Sequence, residues 1–344
     1  MFVTPGVALD NALVRVTSGG LSIVRTSGSS MRTMSTVDYH ALFEAHREHL
    51  WGLCYRVTGS AADAEDLVQQ TFERAMERPP ADTSRPWRPW LARVATRLAI
   101  DALRRRRSRR YVGPWLASPV ETAGGETWGE LASPEADAET RYGLRESVSL
   151  AFLLALEALT PAQRATLVLR DALGYSGPET AELLGVSPQN ARVLLHRARQ
   201  ALTRYGERRQ PPSTAVDARH AQALQRFMGA LLSGDPQQIA GCLAEDVRAT
   251  SDGAGRVRAS TKPVLGAERV GKFFAGLLRR GGAPRAFELR WVNGRPGFVA
   301  VFTPQHPRAA ALVCLSFDLD ADARIAEIYV VNAPDKLRAL RMPG

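Results

Sequence analysis

Arginine side chains are concentrated on one helical segment, between residues 93 and 110. Arg93, Arg97 and Arg104 recur with the spacing of one helix face, and five more arginines follow by Arg110. Guanidinium groups pair bidentately with phosphate, so this stripe is typical of a surface that follows a nucleic-acid backbone. A solvated charged face has the same pattern. Eight arginines against one acid, Asp101, favour the nucleic-acid interpretation.

Two tryptophans stand immediately before this arginine stripe, where Trp87 and Trp90 flank Pro89. Aromatic rings beside a basic face can stack on unpaired bases. For Trp90, packing into a hydrophobic core is an equally good interpretation.

A second candidate DNA-binding segment spans residues 178–205. A short helix, the turn Gly185-Val186-Ser187 and a second helix form a helix-turn-helix pattern, for which a purely structural hairpin is the alternative. The residues of the second helix predicted to pack inward are Ala191, Leu194, Leu195, Ala198 and Leu202. The outward residues, which would read base edges and contact phosphates, are Gln189, Asn190, Arg192, Val193, His196 and Arg197.

The composition limits the classes of protein to which this chain can belong. The chain has 344 residues, 45% of them apolar, and a net charge of +10, which fits two or three small domains with a polyanionic partner. All but three of its 45 basic residues are arginine, a bias that coding preference would also produce. No run approaches the ~18 apolar residues of a membrane span, and residues 1–33 lack the order of a signal peptide. With three scattered cysteines, we expect a cytoplasmic protein with no disulfide framework, cofactor or membrane attachment.

The first half of the chain divides into three segments. Residues 1–37 are rich in Gly, Ser and Thr and predict a flexible arm, with Met31 and Met34 as alternative natural starts. Residues 38–110 predict a bundle of three helices, which we call the first helical module. Residues 111–145 are acidic and rich in Gly, Pro and Ser, which predicts a linker without a core of its own.

The second half begins with another helical segment and ends with a mixed one. Residues 146–206, the second helical module, carry capping boxes that start at Thr160 and Ser176, and residues 207–216 are a linker. Residues 217–340, the C-terminal domain, predict helices near 217–232, 236–244 and 266–280. Strands are predicted at 287–292, 298–302, 311–317 and 325–331, with turns at Asn293-Gly294 and Asp320–Ala323. Helices followed by an antiparallel sheet predict an α+β fold.

These motifs resemble the extracytoplasmic-function (group IV) sigma factors of the sigma-70 family, bacterial subunits that direct RNA polymerase to promoters. The run 64–72 is similar to the region 2 helix that docks on the polymerase β′ clamp. The run 90–101 resembles the segment that opens the −10 element, with Arg97 where the family often has Asn. Residues 160–202 resemble region 4, which reads the −35 element and contacts the β flap.

The resemblance implies roles for particular residues. Those implied to bind core polymerase are Glu65, Asp66, Gln69 and Gln70. Those implied to bind the −10 element are Trp90, Arg93, Arg97, Arg104 and Arg105. The outward residues of the 187–202 helix would bind the −35 element.

The resemblance extends to a subgroup with a fused SnoaL-like domain, a cone-shaped α+β domain of the nuclear transport factor 2-like fold. Residues 111–116 resemble its linker. Residues 252–256 resemble its Asp-Gly-Gly-Gly-Lys loop, with Ala254 and Arg256 substituted, and residues 334–337 match the end of its Asn-Pro-Asp-Lys-Leu motif, with Ala333 in the place of Asn. This implies that the C-terminal domain contacts the helical modules and controls promoter activity. The implied contact residues are Trp115, Asp252, Gly253, Gly255, Asp335 and Lys336. Neither the sign of regulation nor a ligand follows from the sequence.

Two other functions are compatible with the sequence. A free-standing helix-turn-helix regulator would explain residues 178–205 but leaves the 64–72 helix without a role. A DNA-tethered isomerase- or cyclase-like enzyme would use Asp252 as a base and Tyr329 to stabilise an oxyanion.

No metal site is expected. The aspartates at 318, 320 and 322 lack the glycine and glutamate of a calcium loop, and His46, His49 and Cys54 do not make a set of four ligands.

Overall fold

The computed structural model describes residues 12–17, 20–25, 37–108, 111–122 and 143–343. At its N-terminal end, β1 (Ala12–Thr17) and β2 (Gly20–Arg25) pair antiparallel. The flexible arm expected over residues 1–37 therefore contains a hairpin, built from two short runs rich in Val, Ile and Leu that favour strand.

Three helices form the first helical module: α1 (Tyr39–Thr58), α2 (Ala61–Glu77) and α3 (Trp87–Ser108). Asp38 caps α1 by accepting the backbone N–H groups of residues 40 and 41 at 3.0 Å each. Gly59, with a φ of 70°, makes the tight turn into α2, which Ser60 caps. The predicted three-helix bundle is confirmed.

The second helical module is built from α4 (Leu150–Ala155), α5 (Pro161–Leu167), α6 (Gly177–Leu184), α7 (Pro188–Ala201) and α8 (Thr203–Arg208). Both predicted capping boxes form, each with its reciprocal pair of hydrogen bonds. Gly185 adopts a φ of 68° in the turn between α6 and α7, as a helix-turn-helix requires.

The two helical modules share one hydrophobic core with the linker between them. Leu91 of the first module, Phe152 of the second and Leu116 of the linker are fully buried in the same cluster. The prediction of a linker without a core is wrong for residues 111–122, where Ala117 and Val120 are buried as well. That prediction rested on the acidic residues between 126 and 139, which lie outside the described residues.

The C-terminal domain packs α9 (Thr214–Ser233), α10 (Pro236–Gly241) and α11 (Ala267–Gly281) on a six-stranded sheet. Its strands are β3 (Leu243–Asp252), β4 (Val264–Leu265), β5 (Ala286–Val292), β6 (Arg295–Val301), β7 (Leu312–Leu319) and β8 (Ile325–Val331), in the spatial order β4-β3-β8-β7-β6-β5. The α+β fold class is confirmed. Among the described residues, no helix combines the length and the apolar character needed to cross a bilayer.

Strand β3 corrects the sequence-based description of the sheet. The sequence predicts a helix through residue 244 and no strand before 287, but α10 ends at Gly241 and β3 follows. β3 runs parallel to β8, with Thr250 opposite Tyr329, so the sheet is mixed rather than antiparallel. β3 is difficult to recognise because it is largely polar and its partner lies some eighty residues further along the chain.

The central strands of the sheet are covered on both faces. The inner face packs Phe298 and Phe317 against Phe227 of α9 and Phe274 of α11. The outer face contributes to the core shared by the helical modules, through the side chains of Val299, Cys314, Tyr329 and Val331. This second contact fixes the C-terminal domain on the two helical modules.

Glu327 on β8, opposite Arg248, gives the protein a specific pH dependence. Burial raises its pKa to about 7; Asp318 and Asp246 act in the same direction, and Arg248 and Arg208 oppose them. The folded state thus keeps a proton that the unfolded chain releases near pH 4.5, so this group's contribution to stability falls as the pH rises from there to about 7.

We predict that Glu327→Gln is more stable than the wild type at about pH 8, by about 1–3 kcal/mol, because the charged carboxylate leaves a buried, unpaired Oε2 atom. The difference should vanish near pH 5, where the wild-type carboxyl is protonated. Urea unfolding at both pH values measures it, with Glu245→Gln at an exposed position of β3 as the control. Superimposable stability curves for wild type and Glu327→Gln would show that this carboxyl does not titrate as described.

Candidate nucleic-acid and interdomain interfaces

Helix α2 presents the polar face that the sequence predicts for binding polymerase. Glu65, Asp66 and Gln69 are exposed and Gln70 is half-buried, while the opposite side of the helix enters the shared core. The short 3-10 turn Pro334–Lys336 of the C-terminal domain lies beside this helix. A partner of α2 would therefore approach close to the C-terminal tail.

Helix α3 carries the predicted −10 residues, and two of them face the second helical module. Arg93 forms an ion pair with Glu182 of α6. The Arg97 guanidinium lies 2.9 Å from the position that a Cβ atom would occupy on Gly185. Thr96 of α3 and Thr180 of α6 are fully buried. Part of the basic face is thus covered by the first helix of the helix-turn-helix.

The other predicted −10 residues are placed differently. Arg104 and Arg105 are exposed, and Arg104 binds Asp101 at 3.0 Å on the helix surface. Trp90 is half-buried and makes an edge-to-face contact with Trp87, with 6.0 Å between the ring centroids. Trp87 is therefore part of the core, while Trp90 packs against it and stays partly exposed.

The end of the arginine stripe has a structural role that the sequence analysis missed. Arg106 donates to both carboxylate oxygens of Glu157, at 2.6 and 2.8 Å, and to the carbonyl of Thr58 at 2.6 Å. Glu157 also pairs with Arg164, which is fully buried. Arg107 donates to the carbonyls of residues 157 and 159. These arginines join the two helical modules to each other.

Helix α7 presents all six predicted −35 residues to solvent, at positions 189, 190, 192, 193, 196 and 197. Ala191, Ala198 and Leu202 are buried, as predicted. Leu194 and Leu195 are only half-buried, which corrects the prediction that they pack inward. Their residual apolar surface lies on the same helix as the residues predicted to read base edges.

Asp252, at the end of β3, is the centre of a buried junction. Its carboxylate accepts the Tyr111 hydroxyl at 2.6 Å, the Leu116 N–H at 2.8 Å and the Ala254 N–H at 3.0 Å. The Lys336 ammonium lies 2.7 Å away. One fully buried side chain therefore connects the linker, the loop after β3 and the C-terminal tail.

Lys336 is enclosed by the same junction. Its Nζ atom donates to the Leu116 carbonyl and lies 4.1 Å from the centroid of the Trp115 ring and 4.9 Å from that of Tyr111. Burial lowers the pKa of Lys336 to about 8, against the opposing effect of Asp252. Arg106 lies 3.9 Å from the Trp115 centroid, so the first helical module is part of the arrangement.

The glycines of the loop after β3 are required by close contacts. A Cβ atom on Gly253 would lie 2.6 Å from the Val257 carbonyl oxygen. Gly255 has a φ of 70° and packs against the side chain of Val112 in the linker. Asp335 forms an ion pair with Arg256 at 2.7 Å. The structure thus brings all six predicted regulatory residues to one junction.

Asn293 forms a second junction, which the sequence analysis identified only as a turn. It adopts a φ of 53° between β5 and β6, and its Nδ2 atom donates to the Tyr55 hydroxyl at 2.6 Å and the Val148 carbonyl at 2.7 Å. Its Oδ1 atom accepts the Val120 N–H at 3.1 Å. A single buried amide therefore contacts the first helical module, the linker and the second helical module.

A bidentate ion pair reinforces the contact between the end of the linker and α9. Arg145 donates to both carboxylate oxygens of Asp217, at 2.7 and 2.6 Å, and to the Gly294 carbonyl at 2.9 Å. Its guanidinium also lies 4.7 Å from the Trp291 ring centroid. Both partners of this pair are mostly buried, which makes it stronger than a surface pair.

The residues considered for catalysis and metal binding are engaged elsewhere. Tyr329 donates its hydroxyl to Asp318 at 3.0 Å, whereas Asp252 is occupied by Tyr111 and Lys336, so the two do not form an acid–base pair. His49 binds the Tyr175 hydroxyl at 2.8 Å. In the described ranges, no group of three or more potential ligands is placed to hold a metal ion.

Two protein families match the helical modules. Sigma-70 region 2 matches residues 42–109, and Sigma-70, region 4 matches residues 149–202. The first match contains the polar face of α2 and the basic face of α3, and the second contains α6 and α7. The residues predicted to bind polymerase and DNA therefore lie within the two matched ranges.

Full-length relatives extend the similarity to the C-terminal domain. The chain is 34% identical over 308 residues to the ECF RNA polymerase sigma factor SigJ of Mycobacterium tuberculosis (strain ATCC 25618 / H37Rv), covering 86% of this chain and 91% of that protein. It is 30% identical over 304 residues to the probable ECF RNA polymerase sigma factor SigI of Mycobacterium tuberculosis (strain CDC 1551 / Oshkosh), covering 88% and 95%. The crystal structure of Mycobacterium tuberculosis SigJ aligns with a TM-score of 0.66 at 31% identity, covering 86% of this chain and 97% of that one.

Proposed function

The chain belongs to the extracytoplasmic-function RNA polymerase sigma factors, and from this premise we propose that its C-terminal domain holds the two helical modules closed on each other. In the closed arrangement, part of the promoter-binding surface is covered. Loss of the contacts made by the C-terminal domain frees that surface. The observation that carries this proposal is the contact of Arg93 with α6 and of Arg97 with the turn that follows α6.

The promoter and polymerase contacts divide among three surfaces. The polar face of α2 binds the β′ clamp of core polymerase, and the exposed face of α7 reads the −35 element. The basic face of α3 binds the −10 element, with Arg104 and Arg105 on its open part. The half-buried Leu194 and Leu195 offer apolar surface to the β flap.

The closed arrangement hinders promoter binding for a geometric reason. Arg93 cannot bind a phosphate through the guanidinium atoms that Glu182 occupies, and the exposed Arg97 guanidinium lies against Gly185, where the second helical module limits the approach of a nucleic-acid strand. In addition, α3 and α7 must reach two separate promoter elements, which requires the modules to separate. The closed form therefore has to open before both elements can be bound.

The C-terminal domain is suited to stabilise the closed form because it contacts both modules. Asn293 binds Tyr55 and Val148, one residue in each module. The Asp252 junction adds the linker, which is continuous with α3. Because the domain is tethered, these contacts form at an effective concentration near the millimolar range, so a modest interface suffices.

Reversing the charge of Glu182 tests the proposal on the full chain. Glu182→Arg replaces an attractive partner of Arg93 with a cation beside Arg93 and Arg97, which should favour opening. Because the pair is partly exposed, we expect a gain of about 1 kcal/mol, or roughly fivefold more promoter complex with core polymerase at low salt. The gain should shrink as salt screens the repulsion.

The matched control is Glu207→Arg on α8, which adds the same charge to an exposed position of the same module. It separates opening of the interface from a general increase in DNA affinity. Equal promoter binding by the two variants, or no gain for Glu182→Arg, would refute the proposed closure.

A further inference from the structure

A pocket of about 140 Å³ lies where the linker meets the C-terminal domain. Val112 and Gly113 of the linker form one wall, residues of the loop between 251 and 261 form the other, and Arg308 closes one side. The space is larger than a single water molecule requires. A ligand here would touch both the linker and the C-terminal domain.

The pocket carries positive charge without a matching anion. Arg258 and Arg308 are held side by side by a 2.8 Å bond from the N–H of residue 258 to the carbonyl of residue 308. Their guanidiniums contact the His306 ring at 3.4 Å and the Gly255 carbonyl at 3.3 Å, and neither forms an ion pair within the described residues. Both side chains are exposed, so their guanidiniums are accessible to an anion that enters the pocket.

The remaining lining residues suit an oxyanion. Ser251 and Thr261 supply hydroxyl groups, whereas the Ser260 hydroxyl already donates to the Lys262 carbonyl, and Gly113 allows close approach to the backbone. No carboxylate is present among the described residues that line the space. The neighbouring Asp252 is fully buried and already compensated by Lys336. Guanidiniums with hydroxyls are the groups that recognise phosphate.

We propose that this pocket binds a small phosphate-bearing molecule, which ties the linker to the C-terminal domain. Bound between Val112 and Arg308, the phosphate strengthens the contact that Gly255 already makes with the linker. The inference rests on the proposed function, because tightening this contact favours the closed form. Anion binding at this pocket can nevertheless be tested without polymerase or promoter.

Calorimetric titration of the full chain with inorganic phosphate and with pyrophosphate tests the site. We expect one saturable site, weakened about tenfold or more in Arg258→Gln/Arg308→Gln, because each substitution removes a charge-assisted hydrogen bond. The double variant Arg279→Gln/Arg280→Gln, in the last turn of α11, loses the same charge and should bind like the wild type. Saturating pyrophosphate should also slow amide hydrogen exchange of residues 111–116 at least severalfold.

Several results would overturn the proposal. The wild type could bind neither anion, or the two double variants could lose affinity equally. Binding without slower exchange of the linker would remove the proposed coupling. If neither anion binds while Arg258→Gln/Arg308→Gln alone weakens binding to a random-sequence duplex, the arginines serve the DNA backbone instead. None of these outcomes depends on the Glu182→Arg experiment, so this inference can fail while the proposed closure stands.

Discussion

Replacing Asp252 with Asn is expected to destabilise the junction of linker, β3 and C-terminal tail by about 3–5 kcal/mol, because the buried Lys336 ammonium would lose its carboxylate partner. Asn retains one acceptor oxygen in place of two, so Tyr111 and the Leu116 N–H would compete for it. Faster hydrogen exchange at the amides of Leu116 and Ala254, both bound to Asp252, would measure the effect directly. Promoter-dependent transcription should rise as the closed form is lost.

A second substitution tests whether the lost stability comes from the ion pair between Asp252 and Lys336. Lys336→Met removes the buried ammonium but keeps an unbranched apolar chain between the rings of Tyr111 and Trp115. The double variant Asp252→Asn/Lys336→Met should therefore be more stable than Asp252→Asn alone. A double variant that is less stable than the single one, or unchanged exchange at Leu116 in Asp252→Asn, would contradict the assigned role of the ion pair.

Asn293→Gly is expected to loosen the closed arrangement without disturbing the hairpin that carries the residue. Glycine accepts the φ of 53° at this position, so the substitution removes the side-chain amide alone. Tyr55, Val148 and Val120 would each lose a buried hydrogen bond, with an expected loss of about 2–4 kcal/mol in total. Promoter complexes with core polymerase should increase at least severalfold.

The control for this substitution is Asn332→Ala, because that amide binds the Arg258 carbonyl within the C-terminal domain. It should lower the stability of that domain without changing the distance between the modules. The distance can be followed between fluorophores attached at exposed positions of α2 and α7. If Asn293→Gly leaves this distance distribution and promoter binding as they are in the wild type, Asn293 does not hold the modules together.

Local signals in the sequence predicted the helical elements well. The capping boxes at Thr160 and Ser176 and the left-handed Gly185 are decided by neighbouring residues, and each is present in the structure. The same is true of the Asn293-Gly294 turn. The sequence did not predict β3, because this segment forms a strand only by pairing with β8, and no local sequence pattern indicates that pairing.

The interfaces were predicted less completely, because a residue type does not specify its partner. The arginine stripe on α3 was recognised, but its pattern cannot distinguish a phosphate from Glu182 or Glu157 as the acceptor. Asp252 and Lys336 were identified through the family resemblance. Asn293 was not, because the strong turn signal concealed the role of its side chain.

The most direct test of the central claim is transcription by core polymerase from the bacterium that encodes this chain. The template is fragmented genomic DNA of that bacterium, and the 5′ ends of the transcripts are sequenced. Full-length chain should produce discrete start sites that core polymerase alone does not. Asn293→Gly should use the same sites at least severalfold more often. Asp66→Arg, on the exposed polar face of α2, should abolish them. Start sites that are the same with and without the chain would contradict sigma activity, and equal use by wild type and Asn293→Gly would contradict control by the C-terminal domain.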